Sequence, residues 1–395
     1  MDYIEVFNQL DHWLKRQRYK SYDLCDVTSH PLFLTLSSIK KNVVGGNVVT
    51  YPFFYLAKRK SRKFRKVFQT EKKKYPQAQG IITRAYLKMY HSTGERKYVN
   101  SAREILQWLT EHRVKSVPHH CWGQPYDWYS GKVIPKNTPR TTVTSQVSHA
   151  FLDMYEETNE KRCLNTAIDA CRFYLDDLTW DMDAEGDISF PYTTEDTYHI
   201  HNANILAASV LIRTWYHSRI NEFLERGMQA LQFTLKHQNE DGSWYYWAPP
   251  DPIKDKIDNY HTGFVLESIA GMKHYLGDMF KGDQNYRKGA NYYISKFFED
   301  GHIPKMAPES VYPIDIQSCA QSLITLGEIH SEFSGTTEKM IKVVDWTIDN
   351  MFDADGFFYY RIYGDGKIDK NPYIRWGESW MLRALSLVIS QVENK

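Results

Sequence analysis

The sequence lacks the features that mark several specialised protein classes. Its five cysteines are odd in number and scattered, with no C-x-x-C pair, so neither a disulfide framework nor a zinc site is indicated. A reducing cytoplasm fits this cysteine usage best. No basic start followed by an apolar stretch and no long apolar run occurs, which predicts neither a standard signal peptide nor a membrane-spanning helix.

A strong net charge is also missing. Lys and Arg number 49 and Asp and Glu 48, which leaves a formal charge of +1 and gives no general field for binding nucleic acid. What the chain does have is aromatic residues, which make up 15% of it and include 28 Tyr and 11 Trp. Such a content suits either a tyrosine-rich core or a surface that stacks on sugar rings.

Turns that contain glycine recur along the second half of the chain. "DAEGDISF", "NEDGSWYY", "FEDGHIPK" and "DADGFFYY" place Gly186, Gly242, Gly301 and Gly356 roughly every 55 to 60 residues. An amphipathic helix pattern precedes each turn, and a second, more apolar helix follows each one. Two further copies are indicated in the N-terminal half, because "TRAYLKMYHSTGERKY" aligns with "SHAFLDMYEETNEKRC".

Six copies of this unit predict an all-α (α/α)6 toroid, a six-hairpin barrel with short β-hairpin-like loops at its open end. The second helices are apolar nearly all round and rich in small residues, as an inner ring requires, whereas the first helices keep a charged face. An open helical solenoid is the alternative. We expect residues 1–395 to form a single toroid domain, with an N-terminal helical segment to about residue 75 and the six inner-helix repeats over 76–395.

In such a ring the residues at the starts of the inner helices line one end, where the helix N-termini favour anions. Asp258 and Asp315 could be simple helix caps. Capping does not require the histidines, arginine and tryptophan that accompany them. The candidate catalytic residues are Asp258, Tyr260, His261, Asp315, Arg375 and Glu378; the candidate substrate-binding residues at these helix starts are His199, His201, Asn202, Asn204, Gln317, Gln321 and Trp376.

Aromatic residues in the connecting loops add a second ingredient. Residues alternate in the hairpins, so about half of these rings should pack against the rim and the others face the funnel. An aromatic-walled cleft with polar groups at its floor suits a sugar chain, whose apolar ring faces stack while its hydroxyls and carboxylates need polar partners. The candidates for stacking are Trp122, Trp128, Trp244, Trp247 and Tyr359.

Three activities could use this floor. Glycoside hydrolysis needs two carboxylates, for which Asp258, Asp315 and Glu378 are candidates. Lyase or uronate-epimerase chemistry needs a base, such as His261 or Tyr260, and a cation such as Arg375 to neutralise the sugar carboxylate. The third possibility is a non-catalytic protein that binds or assembles glycans. Sequence spacing leaves all three open, and none of them calls for a cofactor or a metal.

"QNEDGSW" resembles the QW element of triterpene cyclases. That element is a stabilising turn, so the resemblance implies a toroid rather than terpene chemistry. "DMDA", with Asp181 and Asp183, lacks the last aspartate of those enzymes' acidic motif, which makes a terpenoid cyclase-like enzyme the more distant alternative. Cys121 beside His119 and His120 resembles part of the zinc site of lanthipeptide cyclases, but the downstream Cys-His pair is absent.

One basic stretch, Lys58 to Lys74, follows the aromatic "YPFFYLA". It is either a solvated helix or a contact with anionic lipid or an acidic glycan. This makes a peripheral position at the inner face of the membrane the second prediction for localisation.

Four motifs in fixed order carry a resemblance to a family: "NEDGSWYY", "IDNYHTGFVLE", "YPIDIQSCAQSL" and "YIRWGESWMLRAL". Together they resemble the VpsJ-type polysaccharide-biosynthesis toroids, whose members are often labelled "delta-aminolevulinic acid dehydratase". That label does not suit this chain, because the true dehydratase is a TIM barrel and no βα alternation occurs here. The resemblance implies a cytoplasmic protein of surface-polysaccharide biosynthesis that processes a polysaccharide or oligosaccharide.

Overall fold

The computed structural model of the protein describes residues 2–251 and 256–392, with residues 58 and 59 described by their backbone alone. Its helices, in chain order, are α1 (Tyr3–Arg16), α2 (Pro31–Asn42), α3 (Gly46–Arg59), α4 (Ser61–Val67), α5 (Pro76–Thr93), α6 (Arg96–Glu111), α7 (Thr141–Thr158), α8 (Lys161–Arg172), α9 (His201–Ser218), α10 (Asn221–Lys236), α11 (Asn259–Leu276), α12 (Asp283–Lys296), α13 (Ile316–Ile329), α14 (Thr336–Met351) and α15 (Ser379–Val392). Two π-helical segments, Phe173–Asp177 and Ile374–Glu378, follow α8 and precede α15, and a 3-10 turn, Gly277–Met279, follows α11.

The strands are all two residues long and lie in the loops. They are β1 (Trp128–Tyr129), β2 (Val133–Ile134), β3 (Asp181–Met182), β4 (Ile188–Ser189), β5 (Phe298–Glu299), β6 (Ile303–Pro304), β7 (Ile314–Asp315), β8 (Phe352–Asp353), β9 (Phe357–Phe358), β10 (Arg361–Ile362) and β11 (Ile368–Asp369). Antiparallel pairs join β1 to β2, β3 to β4, β5 to β6 and β8 to β9, while β10 pairs with both β11 and β7.

Six helices form a closed inner ring in which each packs on the next: α5, α7, α9, α11, α13 and α15, with α15 returning to α5. The outer layer consists of α6, α8, α10, α12 and α14, each packed on the inner helix that precedes it. The sixth outer helix is α1, which packs on α15 and so joins the N-terminus to the last repeat. The predicted (α/α)6 toroid is confirmed, and the ring closes where a solenoid would stay open.

The inner helices bury almost their whole circumference, as their composition requires. Residues His201 to Trp215 of α9 are all buried, whereas α10 buries one stripe. Small residues allow close contact in this layer. A methyl group on Gly263 of α11 would lie 2.5 Å from the side chain of Gln321 on α13, so only glycine fits between these two helices.

The connections give the ring two different ends. Each inner helix joins the next outer helix through a short loop, and long loops carrying the strand pairs return to the next inner helix. All six inner helices therefore begin at the same end, called here the long-loop end, and finish at the short-loop end. This is the orientation that brings the predicted site residues together.

The repeated glycines adopt the backbone conformation that the turns predict. Gly186, Gly242, Gly301 and Gly356 have φ of 89°, 94°, 76° and 87°, a region that side-chain-bearing residues seldom adopt. In the QW-like element, the Gln238 side chain donates to the carbonyl oxygens of Gly242 and Asn285 at 2.9 Å. The element therefore joins one outer helix to the next and stabilises the ring.

Candidate functional site

A histidine–aspartate pair occupies the start of α11 at the long-loop end. Asp258 is the N-cap residue and accepts a hydrogen bond from the backbone N–H of His261 at 3.0 Å. The same carboxylate lies 2.8 Å from Nδ1 of the His261 ring. Burial alone would raise the pKa of Asp258, but His261 and Lys256 outweigh it and lower this pKa well below its usual value.

This pair fixes the tautomer of His261. An ionised carboxylate can only accept, so Nδ1 of the neutral ring must carry the proton, and Nε2 then presents a lone pair. Within the described residues, Nε2 makes no hydrogen bond. The ring is flanked by Tyr246 and Tyr260, at centroid distances of 4.6 and 4.5 Å. His261 is therefore an oriented imidazole with an unused basic nitrogen.

A second carboxylate caps the next inner helix. Asp315 accepts from the backbone N–H of Gln317 at 3.0 Å and from Nε of Arg361 at 2.6 Å. Burial raises the pKa of Asp315, although Arg361 acts in the opposite direction. Burial also raises the pKa of Tyr260, and the negative charges of Asp258 and Asp315 add to that rise. The Tyr260 phenol is thus within electrostatic range of both caps.

The remaining two candidate catalytic residues lie deeper. Arg375 donates from Nε and Nη2 to the two carboxylate oxygens of Asp23, both at 2.7 Å, and both residues are buried. Glu378 is fully buried, accepts from the backbone N–H of Phe358 at 3.0 Å, and has its pKa raised by burial to about 8. The predicted anion clamp is therefore engaged by an internal carboxylate, and burial favours the protonated form of Glu378.

The polar residues at the start of α9 and α13 differ in how they are held. His199 is fixed by Asp251 and Asp181, at 3.2 Å each, and Asn204 bonds to backbone groups of Phe190 and Ala230. His201 is buried, which lowers its pKa to about 3. Four buried side-chain atoms have no hydrogen-bond partner: His201 Nδ1, Asn202 Oδ1, Gln317 Oε1 and Gln321 Oε1. The other end of the Gln321 amide, Nε2, donates to Glu267 at 3.2 Å.

The aromatic candidates divide between core and surface. Trp122 and Trp244 lie in the core, where their indole N–H groups donate to backbone carbonyls at 2.8 and 2.9 Å, so neither presents a ring face to a ligand. This corrects the expectation that both stack on sugar. The half-buried rings are Trp128, Trp247, Tyr359 and Trp376.

An arginine that the sequence analysis missed lies beside these rings. Arg140 caps α7, is buried, and stacks its guanidinium 4.0 Å from the Trp128 ring centre and 5.3 Å from that of Tyr192. Its Nε has no hydrogen-bond partner within the described residues, and its charge opposes the rise that burial causes in the pKa of Asp196. A single arginine ahead of a threonine-rich helix start, "PRTTVT", was the available signal.

The space around the His261–Asp258 pair is small. The void bounded by His201, Tyr246, Asp258 and His261 has a volume of ≈ 10 Å³, which is room for about one water molecule. Lys256 covers it, with Nζ 2.9 Å from Asp258 and 4.9 Å from the centre of the Tyr246 ring. A void of this size cannot hold a sugar ring, so binding of a sugar against His261 requires the residues around the void to move apart.

A larger cavity of ≈ 330 Å³ lies at the short-loop end, between the C-terminal halves of the inner helices. Charged residues that sequence reasoning missed line it, although "LIRTWY", "VLESIA" and "MLRALS" each place one in an otherwise apolar helix. They pair with one another: Arg213 lies 2.6 Å from Asp153 and from Glu156, and Arg383 pairs with Glu267.

Within the described ranges, no group of three or more His, Cys, Asp or Glu is arranged to hold a metal ion. No helix of that part of the chain is both long and apolar enough to cross a bilayer.

Comparison with known proteins identifies the fold but no sequence family. No protein-family model matches the chain, and no curated protein matches it either. The Lin0763 protein from Listeria innocua superimposes with a TM-score of 0.65 at 13% identity, covering 100% of this chain and 99% of that one. A sugar epimerase from a ruminal bacterium gives 0.62 at 11% identity, covering 82% and 90%.

An unsaturated glucuronyl hydrolase from Bacillus sp. GL1 gives a TM-score of 0.58 at 15% identity, covering 96% of this chain and 94% of that one. The structural neighbours are thus six-hairpin, glycosidase-like (α/α)6 toroids. At these identities the similarity establishes the fold and carries over no residue.

Proposed function

We propose that the chain is a sugar-processing enzyme whose active site lies at the long-loop end and whose general base is His261. The observation that carries this proposal is the Asp258–His261 pair, which engages Nδ1, leaves Nε2 without a hydrogen bond among the described residues, and borders a small void. A positioned imidazole is the commonest general base in enzymes. Structural neighbours that include a sugar epimerase and a cellobiose 2-epimerase support a sugar as the substrate.

The reaction class that fits best is proton abstraction from a sugar carbon next to a carbonyl or carboxylate group. His261 Nε2 takes the proton, and the electron pair of the C–H bond moves to the neighbouring oxygen. Arg140 has an unused Nε and is the cation we assign to that oxygen, in place of Arg375, which Asp23 holds. Return of a proton to the other face gives an epimer, and loss of a group from the next carbon gives an unsaturated sugar.

Glycoside hydrolysis is the second candidate, on a specific observation. The pKa of Asp258 is lowered and that of Asp315 is raised, and a split of this kind is what an acid–base pair of carboxylates needs. Both carboxylates already have partners, since Asp258 accepts from the His261 ring and Asp315 is paired with the Arg361 guanidinium, which makes this candidate weaker.

Proton NMR in D₂O separates the candidates. The purified protein is incubated with neutral and uronate-containing oligosaccharides and polysaccharides. Deuterium at a sugar carbon without cleavage indicates an epimerase, and an unsaturated sugar indicates a lyase. New reducing ends indicate a hydrolase instead. Broadened sugar signals with no chemical change would contradict the proposed enzymatic activity and support a non-catalytic protein that binds or assembles glycans.

The biological setting remains a proposal drawn from the sequence. The VpsJ-type resemblance supports a role in surface-polysaccharide biosynthesis, in the cytoplasm or at the inner face of the membrane. The basic stretch from Lys58 to Lys74 is the proposed peripheral contact; the side chains of Lys58 and Arg59 lie outside the described part of the chain. A terpenoid cyclase-like activity is the most distant alternative, and turnover of a polyprenyl substrate would be needed to revive it.

A further inference from the structure

Three helices between α1 and α5 stand outside the ring. Helices α2, α3 and α4, together residues 31–67, are called here the appendage. They have a small core of their own, in which Phe33 contacts Phe54, Phe64 and Phe68 at ring-centre distances of 5.4, 5.7 and 6.1 Å. This core does not join that of the toroid. The appendage is therefore a separate structural feature that the proposed sugar site does not use.

The appendage exposes an unusual amount of apolar surface. Most of the exposed large hydrophobic side chains of the described residues lie in it, and Val44 and Val48 are 104% and 78% exposed. The α2–α3 connection and α3 carry most of those in the appendage, among them Val43, Val44, Val48, Val49, Tyr51, Phe53 and Leu56. Helix α3 is apolar on the face that packs inward and apolar again on the face turned outward. A contiguous patch of this kind on a soluble protein marks an interaction surface.

The charged residues of the appendage and its flanking segments are all of one sign. Residues 27–70 contain nine Lys and Arg and no Asp or Glu, in a chain whose net charge is +1. Lys40 and Lys41 at the end of α2, and Lys60, Arg62, Lys63 and Lys66 after α3, are exposed. An apolar helix flanked by exposed cations is typical of elements that lie in the interface of an anionic membrane.

We propose that the α2–α3 hairpin docks the protein on an anionic lipid bilayer, with residues 43–56 entering the interface and the flanking cations contacting the headgroups. This goes beyond the basic stretch, because it assigns the binding to an apolar element and the charges to its rim. Residues 27–70 contain no Asp or Glu, so this segment lacks the mixed charge pattern that specifies a protein partner, and its apolar, cation-flanked surface favours lipid.

The hairpin lies at the long-loop end of the ring. Asn42 donates to the Tyr129 hydroxyl at 3.0 Å, and Arg62 donates to Asn371 at 3.3 Å; both partners belong to long loops. Docking would bring the entrance near His261 close to the membrane. The matching substrate class, which rests on the proposed function, is a sugar carried on a lipid.

Co-sedimentation with vesicles tests the docking without any assay of activity. One set of vesicles contains phosphatidylcholine and phosphatidylglycerol in equal parts, and the other contains phosphatidylcholine alone. We expect binding to the first set that weakens with added salt and is little or absent with the second. Val48→Asn with Val49→Asn should reduce binding roughly tenfold or more, and so should Lys40→Gln with Lys41→Gln.

Met279→Asn is the matched control, since Met279 is 42% exposed in the turn after α11 at the short-loop end, and it should bind as the unaltered protein does. Circular dichroism should show all variants folded. The proposal is overturned if the protein ignores anionic vesicles or if the valine pair has no effect. It is equally overturned if the valine pair turns a dimer into a monomer in a protein that does not bind vesicles. Vesicle binding without sugar turnover would leave docking intact and count against the proposed function alone.

Discussion

The two ends of the ring use charged residues in opposite ways. At the short-loop end the cavity is large, ≈ 330 Å³, but its arginines and carboxylates pair mostly with each other. At the long-loop end the void is ≈ 10 Å³, yet it is bounded by an oriented imidazole whose Nε2 is unused. The comparison teaches that cavity volume alone does not locate chemistry in this fold, because reactivity needs a group whose hydrogen-bonding capacity is left over.

The short-loop network shows what extensive, though incomplete, pairing does. His149 is buried among Arg84, Arg213 and Arg383, and burial followed by these charges lowers its pKa well below the usual value. Its ring accepts from Arg213 at 3.3 Å and lies 3.0 Å from the Ser209 hydroxyl. One nitrogen of Arg383 has no protein partner, and water in a cavity of this size can satisfy it. We interpret the charged network at this end as stabilising the ring rather than as a site of chemistry.

The largest effect should come from breaking the histidine–aspartate pair. Asp258→Asn can donate to Nδ1 of His261, which moves the ring proton to Nε2 and removes the base. We expect turnover to fall about 10²- to 10⁴-fold, measured as the rate of sugar conversion. Asp2→Asn is the control, since Asp2 caps α1 with the same geometry but has no histidine on it. Equal turnover by both variants would contradict the assignment.

The short-loop end should respond in stability instead. Arg213→Met removes the buried arginine that Asp153 and Glu156 share, which should cost about 1–3 kcal/mol of unfolding free energy by urea titration. The loss is limited because Asp153 keeps Arg84 and Glu156 keeps His217. Turnover per folded molecule should stay the same. Arg162→Met removes an arginine that is 72% exposed and should cost less than about 1 kcal/mol. A loss of turnover without a loss of stability in Arg213→Met would indicate an active site at the short-loop end and contradict the proposed one.

Burial of Glu378 makes the stability of the folded protein depend on pH. Its pKa is about 8 in the folded protein, whereas the ordinary value for a glutamate is 4.5, so the folded state holds a proton that the unfolded state loses between these values. This contribution to stability is complete below about pH 4.5 and declines as the pH rises to about 8. Glu378→Gln should remove that decline in the melting temperature, while Glu338→Gln on the surface should leave it in place. Parallel curves for the unaltered protein and Glu378→Gln would refute the burial argument.

The smallest effect should follow from removing Lys256, whose ammonium group lies beside the Asp258–His261 pair. Lys256→Met removes the cation 2.9 Å from Asp258, so the pKa of Asp258 should rise while remaining below its usual value, because His261 contributes more to its lowering. Carbon-13 NMR of the Asp258 carboxyl measures this rise. Turnover should change less than about tenfold, since Lys256 is half exposed and screened by solvent.

Local patterns in the sequence predicted the fold, which is confirmed, and the helix-start positions of several candidate site residues. Helix periodicity and the Asp-Gly turns gave the six hairpins, and helix-cap preferences brought Asp258, His261 and Asp315 to one end. The pairing of Arg375 with Asp23 could not be predicted, since 352 residues separate them and no repeat relates them. Burial of Trp122 and Trp244 was equally hidden, because a loop aromatic near a turn has the same pattern whether it faces the core or the solvent.

The central claim is that His261 removes a proton from a sugar, and deuterium incorporation tests it most directly. The unaltered protein, His261→Gln and His274→Gln are incubated with the responsive sugar in D₂O, His274 being an exposed histidine on the same helix. We predict incorporation by the unaltered protein and by His274→Gln, and its loss in a His261→Gln protein with an unchanged melting temperature. Equal incorporation by His261→Gln would contradict the claim.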